Sequence, residues 1–165
     1  IYGRPGTERN AFPLIVTALK EWALIQEDIG EWEIISAGES FDPIDLGNGK
    51  YLKSLGKVSL EEYANLMLTT KAAISLMVSP HPSYPPLEMA SFGVRVITNT
   101  YDNKDLKDFS ENIVSISNCS AKSIAQELRK CCNGEDGKID LETEYIKGDL
   151  DNSWKQIIVG LQKYV

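Results

Sequence analysis

Residues 72–99 read Ala-Ala-Ile-Ser-Leu-Met-Val-Ser-Pro-His-Pro-Ser-Tyr-Pro-Pro-Leu-Glu-Met-Ala-Ser-Phe-Gly-Val-Arg-Val-Ile-Thr-Asn, and this stretch decides the fold. The apolar run 72–78 predicts a β-strand, and the proline-rich run 79–83 predicts a rigid loop. Pro85 and Pro86 predict the start of a short helix, because proline has no backbone N–H and its φ is already close to the helical value. After Gly93 a second strand is predicted at 94–98, and this strand–helix–strand order indicates parallel pairing.

The start of this predicted helix is a favourable place for an anion. The first turn of a helix carries unpaired N–H groups and a partial positive charge, and both stabilise phosphate. Glu88 lies about one turn into the helix, where its carboxylate can accept hydrogen bonds from sugar hydroxyls. The stretch therefore indicates a nucleotide-sugar site beyond the carboxyl end of strand 72–78.

Strands and helices alternate along the rest of the chain as well. Short, uniformly apolar strands between helices predict a parallel sheet covered on both faces, so we expect a Rossmann-like α/β fold in a single domain, 1–165. The predicted strands are 1–3, 33–37, 51–55, 72–78, 94–98 and 113–116, and the predicted helices are 10–28, 59–68, 85–92, 120–131 and 152–164. Ligands of such sheets bind beyond the carboxyl ends of the strands, so the loops at that edge are the candidate site.

Composition narrows the functions open to this chain. Its 24 acidic and 17 basic residues give a net charge of −7, which argues against a nucleic-acid-binding surface. The single histidine, His81, argues against a Ser-His-Asp triad or a metal site with several histidine ligands. The three cysteines fit neither a disulfide framework nor a zinc pattern, and no apolar run approaches the length of a membrane span. We therefore expect a cytoplasmic protein without a metal site.

The predicted loops at the strand ends carry basic residues. Arg4 and Arg9 flank a Gly/Pro-rich turn after the first strand, and arginine is the preferred planar donor to phosphate oxygens. Lys57 lies just before a predicted helix, where it can reach a diphosphate or a base. Each of these residues is also compatible with a solvated surface position, and Gly38 with an ordinary turn or with close approach of a ligand. For His81, a sugar contact and a plain turn residue both stay open.

Taken together, these loops resemble the donor-binding C-terminal domain of GT-B glycosyltransferases of the family four type. The resemblance covers about residues 1–128 and consists of three motifs in the right order. They are Gly3-Arg4 with Arg9 five positions on, Leu55-Gly56-Lys57-Val58-Ser59 before Glu61-Glu62, and Pro85-Pro86-Leu87-Glu88 followed by Gly93. With Tyr84 before the prolines, the chain is most similar to bacterial rhamnosyltransferases that use dTDP-rhamnose and build surface polysaccharides. One position departs from the family: Pro80 stands where a sugar-facing Glu is expected, eight residues before Glu88.

The resemblance implies a role for each matched residue. Arg4, Arg9 and Lys57 are the implied catalytic residues, which neutralise the leaving diphosphate. Tyr84 and the helix start are implied to hold phosphate or sugar, and Glu88 to hold the ribose hydroxyl. The full set of implied substrate-binding residues is Gly3, Gly38, Val58, Tyr84, Pro85, Leu87 and Glu88.

The resemblance also implies partners for this domain. The donor is a nucleotide sugar linked to dTDP or UDP, and no separate cofactor or metal is implied. The glycan acceptor is bound by an N-terminal domain that is absent from this chain, so the chain is expected to be a piece of an enzyme with little activity alone. Peripheral association with the inner membrane stays open.

Two other interpretations stay open. The first is a non-catalytic, Rossmann-like nucleotide-binding or signalling module. A phospho-receiver domain needs an Asp at the ends of its central strands, and the predicted strand that ends in Leu76-Met77-Val78-Ser79 offers none. The second is a transferase domain that has lost its activity, because Pro80 replaces the sugar-facing Glu.

Overall fold

Seven strands and four α-helices make up the part of the chain described by the computed structural model, residues 1–81 and 83–140. The strands are β1 (Tyr2–Gly3), β2 (Ile34–Gly38), β3 (Ile44–Gly47), β4 (Lys50–Gly56), β5 (Ala72–Ile74), β6 (Arg95–Asn99) and β7 (Ile113–Ile116). The helices are α1 (Phe12–Ile25), α2 (Leu60–Thr69), α3 (Tyr84–Ser91) and α4 (Ala121–Asn133), with short 3₁₀ helices at Glu8–Asn10 and Ile29–Glu31. None of the described helices is long and apolar enough to cross a membrane. The predicted helix 152–164 lies outside the described residues.

The strands form two sheets. One has the order β1-β2-β4-β3 and the other the order β5-β6-β7. All neighbouring strands are parallel except β3 and β4, which are antiparallel. Within each sheet the carboxyl ends of the parallel strands therefore lie along one edge, and the loops after β1 and β5 bring these two edges together.

Helices cover both faces of the sheets. On one face α1 and α4 pack together over a core that includes Ile15, Trp22 and Leu128. On the other face α2 and α3 pack over a second core that includes Met67 and Met89. Successive strand residues point to opposite faces, and β6 accordingly sends Val96 into one core and Ile97 into the other. The predicted Rossmann-like α/β architecture is confirmed.

One strand of the structure, β3, is not among the predicted strands. Residues 44–47 form this strand and pair with β4 through a tight turn at Asn48-Gly49. Both turn residues have positive φ, 52° and 71°, which is the conformation that an Asn-Gly hairpin turn requires. The predicted strands omit β3, although Asn-Gly between two extended segments is typical of a hairpin. In addition, β5 is shorter than the predicted strand 72–78 and ends at Ile74.

Local capping signals were reliable. The Ser59 hydroxyl accepts a hydrogen bond from the Glu62 N–H at 3.2 Å, and the Glu62 carboxylate accepts one from the Ser59 N–H at 2.8 Å. This reciprocal pair starts α2, as the spacing predicts. Ser120 caps α4 by accepting from the Ser123 N–H at 3.2 Å. The three cysteines are free thiols, and Cys131 and Cys132 are buried in the core beside α1.

A cavity of ≈ 380 Å³ with a mixed polar and apolar lining lies between the two sheets, on the side away from the candidate site. It is lined by residues of both sheets and of the helices, among them Ile34, Ala73 and Trp22.

Candidate functional site

The loops that follow β1 and β5 meet at the carboxyl edge and enclose a pocket of ≈ 330 Å³. The pocket is lined by Tyr2, Arg4, Arg9, Asn10, Met77, Ser79, His81, Ser83, Tyr84 and Pro85. Four residues predicted from the sequence are thus brought together: Arg4, Arg9, Tyr84 and Pro85. The volume is within the range of small-ligand sites.

Two hydrogen bonds join the loop after β1 to the segment after β5. The side-chain amide of Asn10 donates to the Leu76 carbonyl oxygen at 3.1 Å, and Asn10 is only 2% exposed. The Val78 N–H donates to the Arg9 carbonyl oxygen at 2.7 Å. These bonds span the junction between the two sheets, and they fix the backbone of Arg9 at the mouth of the pocket.

Arg4 is oriented by an acidic partner from the end of β2. Its Nε lies 3.2 Å from Oε1 of Glu39, whose other carboxylate oxygen accepts a bond from the Gly6 N–H at 2.8 Å. The Gly6 N–H and, to a lesser extent, Arg4 hold the pKa of Glu39 below its usual range. Since only Nε of Arg4 is engaged, its two terminal nitrogens have no partner among the described residues. Glu39 therefore orients the guanidinium of Arg4 and leaves its two terminal nitrogens available to a ligand.

The side chains that line the pocket carry an excess of positive charge. Arg9 makes no side-chain hydrogen bond or ion pair with any described residue, and it keeps its full charge available to a ligand. Glu39 is the one carboxylate that pairs with an arginine of the pocket in the described part of the chain. A local excess of guanidinium charge on a protein of net charge −7 is a feature that favours an anionic ligand.

The start of α3 offers fewer backbone donors than the sequence analysis assumed. α3 begins at Tyr84, and the next two residues are Pro85 and Pro86, which have no N–H. The N–H of the preceding residue, Ser83, donates to Nδ1 of His81 at 3.1 Å. Of the expected free N–H groups only that of Tyr84 is left in this turn, and anion contacts at this helix start depend mainly on side chains and on the helix dipole.

The predicted glycines pack against protein rather than against open space. Gly3 and Gly38 are register partners at the ends of β1 and β2. A Cβ on Gly38 would lie 2.3 Å from the Gly3 carbonyl oxygen, and one on Gly3 would lie 2.2 Å from the Ser36 hydroxyl. Gly38 also has a φ of 139°, which other residues rarely adopt. The close approach that these glycines permit is between two strands of the same chain.

The other predicted site residues lie outside the pocket lining. Lys57 and Val58 follow β4, which is two strands away from β1, or about 10 Å along the edge. Lys57 is exposed and is at the same carboxyl edge as Arg4. Leu87 is buried in the core beneath α3, where its side chain packs against protein. Glu88 is exposed on α3, and partial burial raises the pKa of its carboxyl group.

Two residues that support the pocket gave no signal in the sequence. Lys104 is 4% exposed, and its ammonium donates to the Met77 carbonyl oxygen. Asn99, at the end of β6, donates to the same oxygen at 3.0 Å and accepts from the Met77 N–H at 2.7 Å. Burial lowers the pKa of Lys104, and the nearby Cys119 opposes that shift. Both side chains therefore fix the carbonyl group of Met77, a residue that lines the pocket.

No group of three or more metal-ligating side chains occurs among residues 1–81 and 83–140. The described residues therefore include no cluster suited to hold a metal ion beside the pocket.

Comparisons with known proteins identify relatives of this chain. Residues 1–129 match a family described as the C-terminal domain of WsaF. An O-antigen biosynthesis protein, RfbC, from Myxococcus xanthus is 38% identical over 99 residues. That match covers 59% of this chain and 8% of the relative, so the chain corresponds to a small part of RfbC.

The hydrogen bond of Asn10 predicts a measurable loss of stability when it is removed. Asn10→Ala should lower the free energy of unfolding by about 1–3 kcal/mol, because it leaves the buried Leu76 carbonyl without this donor. Urea unfolding measures the change. Asn118→Ala is the matched control, since Asn118 is exposed, and it should change stability by less than about 0.5 kcal/mol. Equal effects of the two substitutions would show that the junction does not depend on Asn10.

Proposed function

The chain belongs to the family of the WsaF C-terminal domain, and from that premise we propose that it is the nucleotide-sugar-binding domain of a glycosyltransferase in bacterial polysaccharide biosynthesis. The name of the RfbC relative, an O-antigen biosynthesis protein, supports a role in making a surface polysaccharide. The resemblance to GT-B glycosyltransferases in the three loop motifs supports the reaction class.

The observation that carries this proposal is the cationic pocket between the loops after β1 and β5. Arg4 and Arg9 present guanidinium nitrogens that have no partner among the described residues, and both line the same cavity. Guanidinium groups bind phosphate oxygens with two parallel hydrogen bonds, which makes them well suited to a diphosphate. A neutral sugar alone would leave this charge uncompensated.

The layout of the edge suits an elongated ligand. The diphosphate lies between Arg4 and Arg9, and Lys57 contacts a part of the ligand about 10 Å further along the edge. Glu88, one turn into α3, accepts hydrogen bonds from hydroxyl groups of the ribose or the donor sugar. Tyr84, exposed at the start of α3, packs against the phosphate or the sugar.

The chemical contribution of these residues is electrostatic. When the sugar leaves the donor, negative charge accumulates on the departing diphosphate. Positive groups that are already in position stabilise this charge without reorganising, and they lower the barrier to transfer. Glu39 holds the guanidinium of Arg4 in such a position, and the bond from the Val78 N–H fixes the backbone from which the Arg9 side chain extends. The acceptor is a glycan bound by a separate domain.

The donor that we propose is dTDP-rhamnose, with a UDP-sugar as the alternative. This choice depends on the similarity of the Tyr84-Pro85-Pro86-Leu87-Glu88 stretch and Lys57 to rhamnosyltransferases. At Pro80 the chain has no carboxylate to face the sugar, so recognition of the sugar depends more on Glu88 and on the domain that binds the acceptor. We place the protein in the cytoplasm, and peripheral association with the inner membrane stays open.

A thermal-shift titration tests the donor site. Millimolar dTDP or UDP should raise the melting temperature of the chain, and Arg4→Ala and Glu88→Ala should each reduce this rise. Loss of one bond to a charged phosphate corresponds to an affinity loss of about tenfold or more for Arg4→Ala. Lys20→Ala is the matched control, because it removes one positive charge from the exposed surface of α1 and should leave the shift unchanged.

Two outcomes would contradict the proposal. A melting temperature that no nucleoside diphosphate changes at millimolar concentration would overturn the donor site. Binding of dTDP without any sugar transfer, in a protein that also carries the acceptor-binding domain, would favour a non-catalytic nucleotide-binding module.

A further inference from the structure

We propose that His81 is an additional ligand-binding residue of this pocket, which donates a hydrogen bond from Nε2 to a phosphate oxygen of the nucleoside diphosphate. The inference rests on the proposed function, because it assigns a new contact within the same site. His81 lines the pocket together with Arg4 and Arg9.

The hydrogen-bonding state of the imidazole follows from its neighbours. Nδ1 of His81 accepts a hydrogen bond from the Ser83 N–H at 3.1 Å. In a neutral imidazole one ring nitrogen accepts and the other carries the hydrogen, so the hydrogen of His81 is on Nε2. Nε2 has no partner among the described residues, and it is free to donate to a ligand.

The position of the ring is fixed before any ligand arrives. The His81 N–H donates to the Ser79 hydroxyl at 3.2 Å, and Pro80 precedes it with a restricted φ. The imidazole also meets the Tyr84 ring edge-on, with 6.2 Å between ring centroids. A donor that is already ordered loses little entropy when it binds, which makes its hydrogen bond more effective.

Backbone strain next to His81 shows that this geometry is specifically maintained. Ser83 has a φ of 68° although it is not glycine, and it is 6% exposed. A non-glycine residue in this region costs about 1–2 kcal/mol, and the surrounding contacts must offset that cost. The bond from the Ser83 N–H to His81 is one such contact. The strained residue therefore directs its N–H toward the imidazole instead of toward the pocket.

The start of α3 offers few backbone donors to a phosphate. Pro85 and Pro86 have no N–H, and the N–H of Ser83 is already used, so the N–H of Tyr84 is the backbone donor left in this turn. A phosphate held at this helix start needs further directional donors, and the Nε2 hydrogen of His81 supplies one. Arg4 and Arg9, in the same pocket lining, supply the charge that makes an anion the preferred ligand.

Three substitutions separate the two ring nitrogens. His81→Asn keeps an acceptor near the position of Nδ1 for the Ser83 N–H and removes the Nε2 donor. His81→Gln places an amide nitrogen near the position of Nε2, and His81→Ala removes both groups. We expect His81→Asn and His81→Ala to weaken dTDP binding by about tenfold, with partial recovery in His81→Gln. Thymidine, which has no phosphate, should bind all four proteins equally, as measured by calorimetry.

A spectroscopic measurement on the 165-residue chain gives a second readout. In ¹⁵N NMR of the wild-type imidazole, Nε2 should be protonated and Nδ1 unprotonated, and added dTDP should shift the Nε2–H proton downfield. A proton on Nδ1 in the free chain, or wild-type affinity for dTDP in His81→Asn while Arg4→Ala weakens binding, would overturn the role of His81 and leave the donor site standing. Failure of the wild-type chain to bind dTDP would instead overturn the proposed function and this contact with it.

Discussion

Two hydrogen bonds across the junction between the sheets determine the shape of the candidate site. Asn10 donates to the carbonyl of Leu76, and Val78 donates to the carbonyl of Arg9. These two bonds join the loops after β1 and β5 at the pocket. Without them Arg9 and the proline-rich loop would face each other with no fixed spacing.

Around the pocket, the groups that stabilise the loops are different from the groups that are available to a ligand. Carboxylate, amide and buried ammonium groups are engaged with the chain itself: Glu39 holds Arg4, and Asn99 and Lys104 hold the carbonyl of Met77. The terminal nitrogens of Arg4, the guanidinium of Arg9 and Nε2 of His81 line the pocket without partners among the described residues. Since ordered donors lose less entropy on binding, this division favours a tightly positioned diphosphate. It also explains how an acidic protein maintains a local site for an anion.

Sequence analysis located the edge of the sheet and the pocket-facing arginines because their signals are local. A capping box at Ser59 and prolines at the start of α3 determine the backbone through neighbours a few residues away. The contact between Asn10 and Leu76 joins residues 66 positions apart, and the burial of Lys104 depends on how β6 and its loop pack. Such contacts arise only after folding, so no local pattern of residues predicts them. Pro85 and Pro86 predict the start of α3, and the same two residues also remove N–H donors from its first turn.

The central claim is that a nucleoside diphosphate binds between the loops after β1 and β5. The most direct test is a crystal structure of the chain grown with millimolar dTDP. The account predicts diphosphate density between the guanidinium groups of Arg4 and Arg9, with the imidazole of His81 within hydrogen-bond distance of a phosphate oxygen. Density for dTDP at any site that leaves both arginines without a phosphate contact would contradict it.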